Sequence, residues 1–467
     1  MLFSSIPFLF YFLSIVLLLY YLAPGKLKNG VLLLSSLFFY FWGEPKYTLL
    51  MLLSITMSYF AGLLIERFRK TVYARVFLIC GTAASLLMLG FFKYADFFIR
   101  NANALFGLSV PLLRLTLPIG ISFYTFQSLS YVVDVYRGDT AAQRSYVDLA
   151  TYVALFPQLI AGPIVRYTDV SAELAQRTHS AEAFASGAFR FTVGLAKKVL
   201  LANQLGELCD AFRVSEEKSV LFYWLYAAAF SLHIYFDFSG YSDMAIGLGR
   251  IFGFRFPENF NYPYISSSIT EFWRRWHMTL GSWFRDYVYI PLGGNRVSRP
   301  RWMFNIFLVW MLTGFWHGAD WNFILWGIYF GVLLMLEKLL LGKFLARLPA
   351  VLSHAYLLFL VLVSFVIFNA DGMPGVVSDL AGLFGAAGLP LVSAETLYCL
   401  RSYSVVLLLG VLGATPAVKS AVTRLCDRRR ARAVLGALEA PVMLALLCVC
   451  TAYLVDGSFN PFLYFRF

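Results

Sequence analysis

The stretch LTGFWHGADWNFILWG (312–327) sets His317, Asp320 and Asn322 among leucine, phenylalanine and tryptophan. The ordinary pKa of imidazole lies close to neutrality. A histidine in such surroundings is therefore suited to take a proton from a hydroxyl and later return it. EFWRRWHMTLGSWFRDYVYIPLGG (271–294) holds a second histidine, His277, beside Arg274, Arg275 and Arg285. Guanidinium groups are good ligands for phosphate. FDFSGYSD (236–243) adds Asp237 and Asp243. Those carboxylates have three readings: they cap the next helix, hold a polar cavity open, or pair with the arginines that follow.

The elements that must position these groups are not those of a soluble protein. The 467 residues are 60% hydrophobic, 18% aromatic and only 14% charged, whereas a soluble domain is about a quarter charged. Runs such as PFLFYFLSIVLLLYYL (7–22) and LFLVLVSFVIF (358–368) approach the roughly 20 apolar residues that cross ~30 Å of hydrocarbon. The sequence predicts an all-α polytopic membrane protein with about 10–12 transmembrane or re-entrant helices, plus interfacial helices. No basic residue precedes the first run and no small-residue cleavage site follows it, so it reads as a retained span. The formal charge of +12 gathers at span ends, which marks topology and argues against nucleic acid as a partner. The six cysteines are scattered, and CVC (448–450) is too tight for an ordinary metal pair, so buried thiols and no metal site are expected.

Basic clusters at Lys26 and Lys28, at 66–75, across 250–301 and at RLCDRRRAR (424–432) give a consistent thread. They place the N-terminus outside, the arginine-rich stretch in the cytoplasm, and 371–400 with the tail SFNPFLYFRF outside. LFPQLIAGPIVRY (155–167) is too broken by proline and glycine for a plain span and reads as re-entrant or interfacial. GLAKKVLLANQLGEL (194–208) has the amphipathic pattern of a helix lying along the interface. No internal repeat or linker divides the chain, so a single domain over 1–467 is expected.

His277 sits in a segment that also reads as an interfacial helix with a tryptophan belt and snorkelling arginines. In that helix Glu271 would pair with Arg275, and Trp273 with His277, each four residues apart. A plain anchor does not need His277. From Arg301 to His317 is ~24 Å of helix at ~1.5 Å per residue, which sets His317 deep in the bilayer. The whole run 303–336 would be ~50 Å long, so a break is expected, with Gly318 its natural place. An ionisable group at that depth costs several kcal/mol and marks a functional site. His233, on a long apolar span, is expected to bond a neighbouring helix, while His179 and His354 carry no such signal.

WRRWHMTLGSWFRDYVYIPLGGN (273–295) followed by LTGFWHGADWNFILWG (312–327) resembles the membrane-bound O-acyltransferases. YFDFSGYSDMAIGLGRIFGFRFPENFNYPY (235–264) and the ending FNPFLYFRF (459–467) are similar to the bacterial branch that O-acetylates alginate and other envelope polysaccharides. The D-alanyl transfer proteins of teichoic acid modification are a close cousin. The likeness covers nearly the whole chain and is densest over 235–327. It implies a bacterial multi-pass cell-membrane enzyme around a central tunnel, with His317 catalytic and His277 a second functional position nearer the cytoplasm. It further implies an acyl-CoA or acyl-carrier thioester as donor substrate, with no permanently bound cofactor. An extracytoplasmic partner acyltransferase or polymer export complex would complete delivery.

On that footing His317 is the expected base for the acceptor hydroxyl, and Trp316 and Trp321 shape the pocket. Asn322 or a backbone N–H donates to the oxyanion, and Arg274, Arg275 and Arg285 meet donor phosphates. Asp237, Asp243 and Asp320 are supporting groups. Two other readings stand beside this one: D-alanyl transfer from a carrier protein, and an ion- or proton-coupled transporter using the same intramembrane histidines and aspartates.

Overall fold

The computed structural model describes residues 1–160, 162–457 and 462–463. Helices joined by short turns make up the fold, and no strand occurs among the described residues. Among the described residues six helices are long and apolar enough to cross a membrane: Pro45–Arg67, Val72–Phe106, Val220–Ile251, Trp321–Leu345, Ala350–Phe368 and Arg429–Asp456. A seventh appears if the pair Ala394–Ser402 and Ser404–Gly413, bent by 57°, is one broken span. The protein is an all-α, multi-pass membrane protein. In Val220–Ile251, 67% of the apolar window is buried, against 6% in Arg429–Asp456. The first is thus a core element, and the second turns its leucines and valines outward as a lipid-facing helix does.

The chain divides into two compact units, each built from separated segments. Met1–Phe191 with Tyr241–Pro257 forms one. Its helices Pro45–Arg67, Val72–Phe106 and Ile121–Arg137 pack on one another, and Lys28–Gly43 packs on Tyr146–Ala154. Phe3, Phe8, Phe12, Phe39, Phe156 and Tyr241 make its aromatic core, with Phe3 stacked on Tyr241 at 4.7 Å. The segment 155–167 is broken as its prolines dictate, and lies outside the described residues at Ala161. Phe156–Leu159 makes one buried helical turn. The freed backbone groups find side chains: Tyr152 donates to the Val165 carbonyl, Gln158 to the Tyr152 carbonyl, and the Phe156 N–H to Ser36 Oγ. Irregular backbone is tolerable at such depth only on these terms.

Thr192–Gly240 with Glu258–Phe467 forms the other unit. Arg299–His317 and Trp321–Leu336 make a tight helical hairpin. A Cβ at Gly314 would fall 2.3 Å from the Phe323 carbonyl oxygen, and one at Gly327 2.4 Å from that of Trp310. The two backbones therefore touch along a glycine seam, the close approach that small residues allow between membrane helices. The break falls at Gly318, as the length argument requires, and Asp320 N-caps the second helix by accepting from the Trp321 N–H.

Two expectations are corrected. The apolar span beginning at 220 does not stop near 236 with Asp237 and Asp243 as caps; one helix runs on to Ile251. The partners that both aspartates show lie before them in the chain, not among the arginines that follow. Asp237 is bonded to Lys198 at 2.6 Å and Asp243 to Arg190 at 2.8 Å, both partners earlier in the chain. With each carboxylate neutralised from outside, the helix has no reason to end. The second correction concerns 194–208, which is not an interfacial helix. Lys198 is completely buried, within a π-helical turn Lys197–Ala202 joining Ala181–Ala196 to Asn203–Val214. His233 bonds the Ala202 carbonyl at 2.6 Å, the neighbouring-helix role its position suggested.

A buried ion pair is costly to break from one side because the remaining charge is stranded. Asp237→Ala is expected to destabilise the protein by about 3–5 kcal/mol, whereas Lys198→Met combined with Asp237→Leu recovers most of that loss. Thermal unfolding in detergent checks this, and a double variant no better than the single one refutes it.

Candidate active site

His277 is set by a turn whose parts are all within the second unit. Ser268 caps the helix Ile269–Arg275, and the buried Glu337 carboxylate accepts from the Ile269 N–H (2.7 Å), the Thr270 N–H (2.9 Å) and Thr270 Oγ1 (2.8 Å). The helix stops at Trp276, and His277 itself takes the left-handed conformation, φ 44°, before Met278–Phe284 begins. A side chain there costs about 1–3 kcal/mol. Asn259 holds the turn: its Oδ1 lies 2.9 Å from Thr279 Oγ1, 3.3 Å from the Thr279 backbone N and 3.0 Å from His277 Nδ1.

The protonation of His277 follows from these contacts. A backbone N–H can only donate, so the Asn259 atom facing it is the oxygen, and His277 Nδ1 must carry a proton to bond that oxygen. The other nitrogen, Nε2, is then the basic one; it is buried and has no hydrogen-bond partner among the described residues. His277 lies outside the membrane-length helices, and burial pushes its pKa down to about 3, so the ring is neutral.

His277 borders a cavity of about 600 Å³, the size of a small-molecule site. Arg274, Arg285 and Lys338 line it too, with Trp273 and Trp310. Beyond lies His317, the last residue of its helix and buried. The Trp316 ring neighbours both, 6.1 Å from His277 and 4.9 Å from His317. Trp326 and Phe368 meet the His317 ring edge-on at 5.1 and 5.3 Å. A second cavity of about 20 Å³, bordered by His317, Asp237, Trp276, Phe365 and Leu463, has room for one water. Asp237 thus faces the same space as His317, with one carboxylate oxygen on Lys198 and the other accepting from the Leu463 N–H at 2.8 Å.

The site brings together His277, His317, Trp316, Asp237, Arg274 and Arg285, and leaves out others named from the sequence. Arg275 does pair with Glu271, at 2.9 Å, and donates to the Asn261 carbonyl, so it ties the turn and does not face the cavity. His277 does not pair with Trp273, because the helix ends between them; its neighbours are Phe238 at 4.7 Å and Trp316. Trp321 is half exposed and borders neither cavity, and Trp326 fills the place assigned to it. Asn322 spends its amide on the Phe368 and Ala370 carbonyls, both at 3.1 Å, which removes it as an oxyanion donor. Asp320 is a helix cap, and Asp243 pairs with Arg190 in the first unit. Sequence reading missed Lys198, Asn259, Glu337 and Lys338. A lysine in VLLA-type surroundings at 198 was the one available signal.

Comparison with known proteins supplies the remaining evidence. Residues 141–369 match the model of the membrane-bound O-acyltransferase family. The chain is 40% identical, over the full length of both, to a probable alginate O-acetylase of Azotobacter vinelandii. It is 35% identical to the peptidoglycan O-acetyltransferase of Helicobacter pylori, covering 84% of this chain and 81% of that one. Similarity to the teichoic acid D-alanyltransferase of Bacillus subtilis is 31% over 46% of this chain and 58% of that protein.

The depressed pKa of His277 has a measurable consequence. Unfolded, the imidazole binds a proton as pH falls below about 6.5; folded, it does not do so until about 3. Stability is therefore undiminished above 6.5 and is lost progressively between 6.5 and 3 as the unfolded state gains protons. His277→Gln is expected to flatten that part of the stability–pH curve. An unchanged acid slope in the variant, followed by unfolding at a series of pH values, contradicts the assignment.

Proposed function

We propose, from the premise that this chain belongs to the membrane-bound O-acyltransferase family, that it carries an acetyl group from a thioester donor to hydroxyls of an envelope polysaccharide. The observation that carries the reading is the arrangement of two histidines that both neighbour Trp316, one bordering a large cavity with three cations and the other a small chamber. Transfer from a thioester to a hydroxyl needs a base for the hydroxyl proton and a separate seat for the donor. The two positions correspond to those needs.

In this mechanism the donor occupies the larger cavity, with phosphate groups of coenzyme A or of an acyl carrier met by Arg274, Lys338 and Arg285. His277 Nε2, bare and unprotonated, accepts a hydrogen bond from the donor and fixes its acyl end near Trp316. The acceptor hydroxyl approaches His317 from the other side. Its oxygen forms the new C–O bond to the acyl carbon as its proton passes to His317; the C–S bond breaks, and the imidazolium returns the proton to the departing thiolate. Atoms and charge balance without an added reagent. The side chain proposed for the oxyanion is no longer Asn322, which leaves a backbone N–H at the broken helix for that role.

The route runs across the membrane in this reading, from cytoplasmic donor to external acceptor, with the basic stretch 250–301 inside. An extracytoplasmic partner then passes the acetyl group to the polymer. Acetyl is favoured over D-alanyl by the longer and closer likeness to the two polysaccharide O-acetylases.

Mass analysis of envelope polymers from a deletion strain distinguishes the acyl groups directly. Complementation with the intact gene is expected to restore acetyl esters, and His317→Ala to restore less than one part in about a hundred, the scale of a lost general base. Restored esters in a folded, inserted His317→Ala strain would falsify the base assignment. Arg274→Ala is expected to raise KM for the donor several-fold with little change in kcat, since it removes binding common to ground and transition states. A fall in kcat alone contradicts the donor-cavity reading.

A further inference from the structure

A second group of unassigned side chains lies entirely within the first unit, where the apolar run Pro7–Leu22 ends. Tyr20 and Tyr21 turn back onto the C-terminal end of Val220–Ile251 and donate to the carbonyls of Phe252 (2.8 Å) and Ile251 (2.7 Å). Three basic side chains surround this pair of rings. Lys28 Nζ is 4.7 Å from the Tyr20 centroid and 5.4 Å from that of Tyr21. The Arg177 guanidinium is 5.8 Å from the Tyr20 centroid and 4.6 Å from that of Phe254. His179 Nε2 meets the Tyr20 hydroxyl at 2.9 Å. Since that hydroxyl gives its one proton to Phe252, it accepts from His179 Nε2–H, so the imidazole holds the Tyr20 ring in place.

Among the described residues the two cations of the cluster, Lys28 and Arg177, lack a carboxylate in contact. Among the described residues none of Lys28, Arg177 and His179 forms an ion pair, and a buried Arg177 nitrogen, Nη1, has no hydrogen-bond partner. Asp148, a carboxylate close enough to act on Arg177, accepts from Asn29 at 2.6 Å. The His179 pKa is lowered, by burial first and then by Lys28 and Arg177. The approach is built in: Gly253, at φ +82°, allows the 177–179 segment against it, and a Cβ there would lie 3.2 Å from that of Arg177 and 3.3 Å from His179 Nε2.

We propose that Lys28 and Arg177, on the Tyr20 and Tyr21 rings that His179 helps to hold, form a binding site for the phosphodiester of an anionic phospholipid. The aromatic rings supply a negatively polarised floor that keeps the cations together, and the phosphodiester supplies the missing charge. Tyrosines followed by lysines at the end of an apolar run mark the membrane–water boundary, where lipid phosphates lie. A zwitterionic headgroup would bring its own ammonium against the cluster, so an anionic one fits. Inorganic phosphate shares the recognised chemistry but lacks the acyl chains that hold a lipid at this height.

The test uses the full chain in detergent and follows thermal unfolding during titration with phosphatidylglycerol, phosphatidylcholine or inorganic phosphate. Phosphatidylglycerol is expected to stabilise the protein at concentrations where the other two do not. Lys28→Gln and Arg177→Gln should each raise its half-saturating concentration about fivefold, the scale of one basic side chain at a lipid surface. Arg424→Gln, which removes a charge from the second unit, should leave it unchanged. Equal shifts in all three variants, or equal stabilisation by inorganic phosphate, overturn the proposal. If Arg177→Gln does not fold, Lys28→Gln and Arg177→Lys decide it by the same criterion.

Discussion

A charge buried in an apolar interior must be met by its opposite, and the ion pair between Lys198 and Asp237 is where this protein meets that demand most fully. Both side chains are withdrawn from solvent, and the second carboxylate oxygen is taken by the Leu463 N–H. The pairing lets Val220–Ile251 run unbroken through a stretch whose composition otherwise signals a helix end. An unbroken helix in turn supplies Ile234, Asp237 and Phe238 as one wall of the small chamber at His317. Removing one partner alone would strand the other charge where a helix, a chamber wall and the seat of residue 463 meet.

The two histidines are positioned by different physical means. His317 is placed at a helix ending, against the rings of Trp316, Trp326 and Phe368. His277 is placed by hydrogen bonding: Asn259 fixes its tautomer and Glu337, from a distant helix, fixes the helix that precedes it. Strained backbone at His277 is sustained because these contacts over-determine it. Such pre-organisation is what a donor seat requires if its contribution is to orient a thioester before reaction.

Much of this was legible in the sequence, and the parts that were not share a cause. The membrane class, the break at Gly318 and the broken segment 155–167 follow from hydropathy, length and proline placement, and the depth argument singles out His317. The Asp237 and Asp243 partners do not, because an ion pair across thirty-nine or fifty-three positions leaves no local pattern. Trp321 and Trp326 could not be ranked either: with the helix start unknown, five residues of phase decide which ring faces inward. Asn322 has the right chemistry for an oxyanion donor, and only its two carbonyl partners reveal that its protons are already committed.

The glycine seam between Arg299–His317 and Trp321–Leu336 bears on which acyl chain lengths the enzyme tolerates. Backbones already in contact at Gly314 and Gly327 fix how near these two helices lie, and any added side chain there meets a carbonyl or a Cα. In the proposed mechanism, room for a longer chain at His317 has to come from the surrounding rings, Trp316, Trp326 and Phe368, and the evolution of new acyl preferences on this scaffold would proceed through aromatic positions while the seam stays fixed.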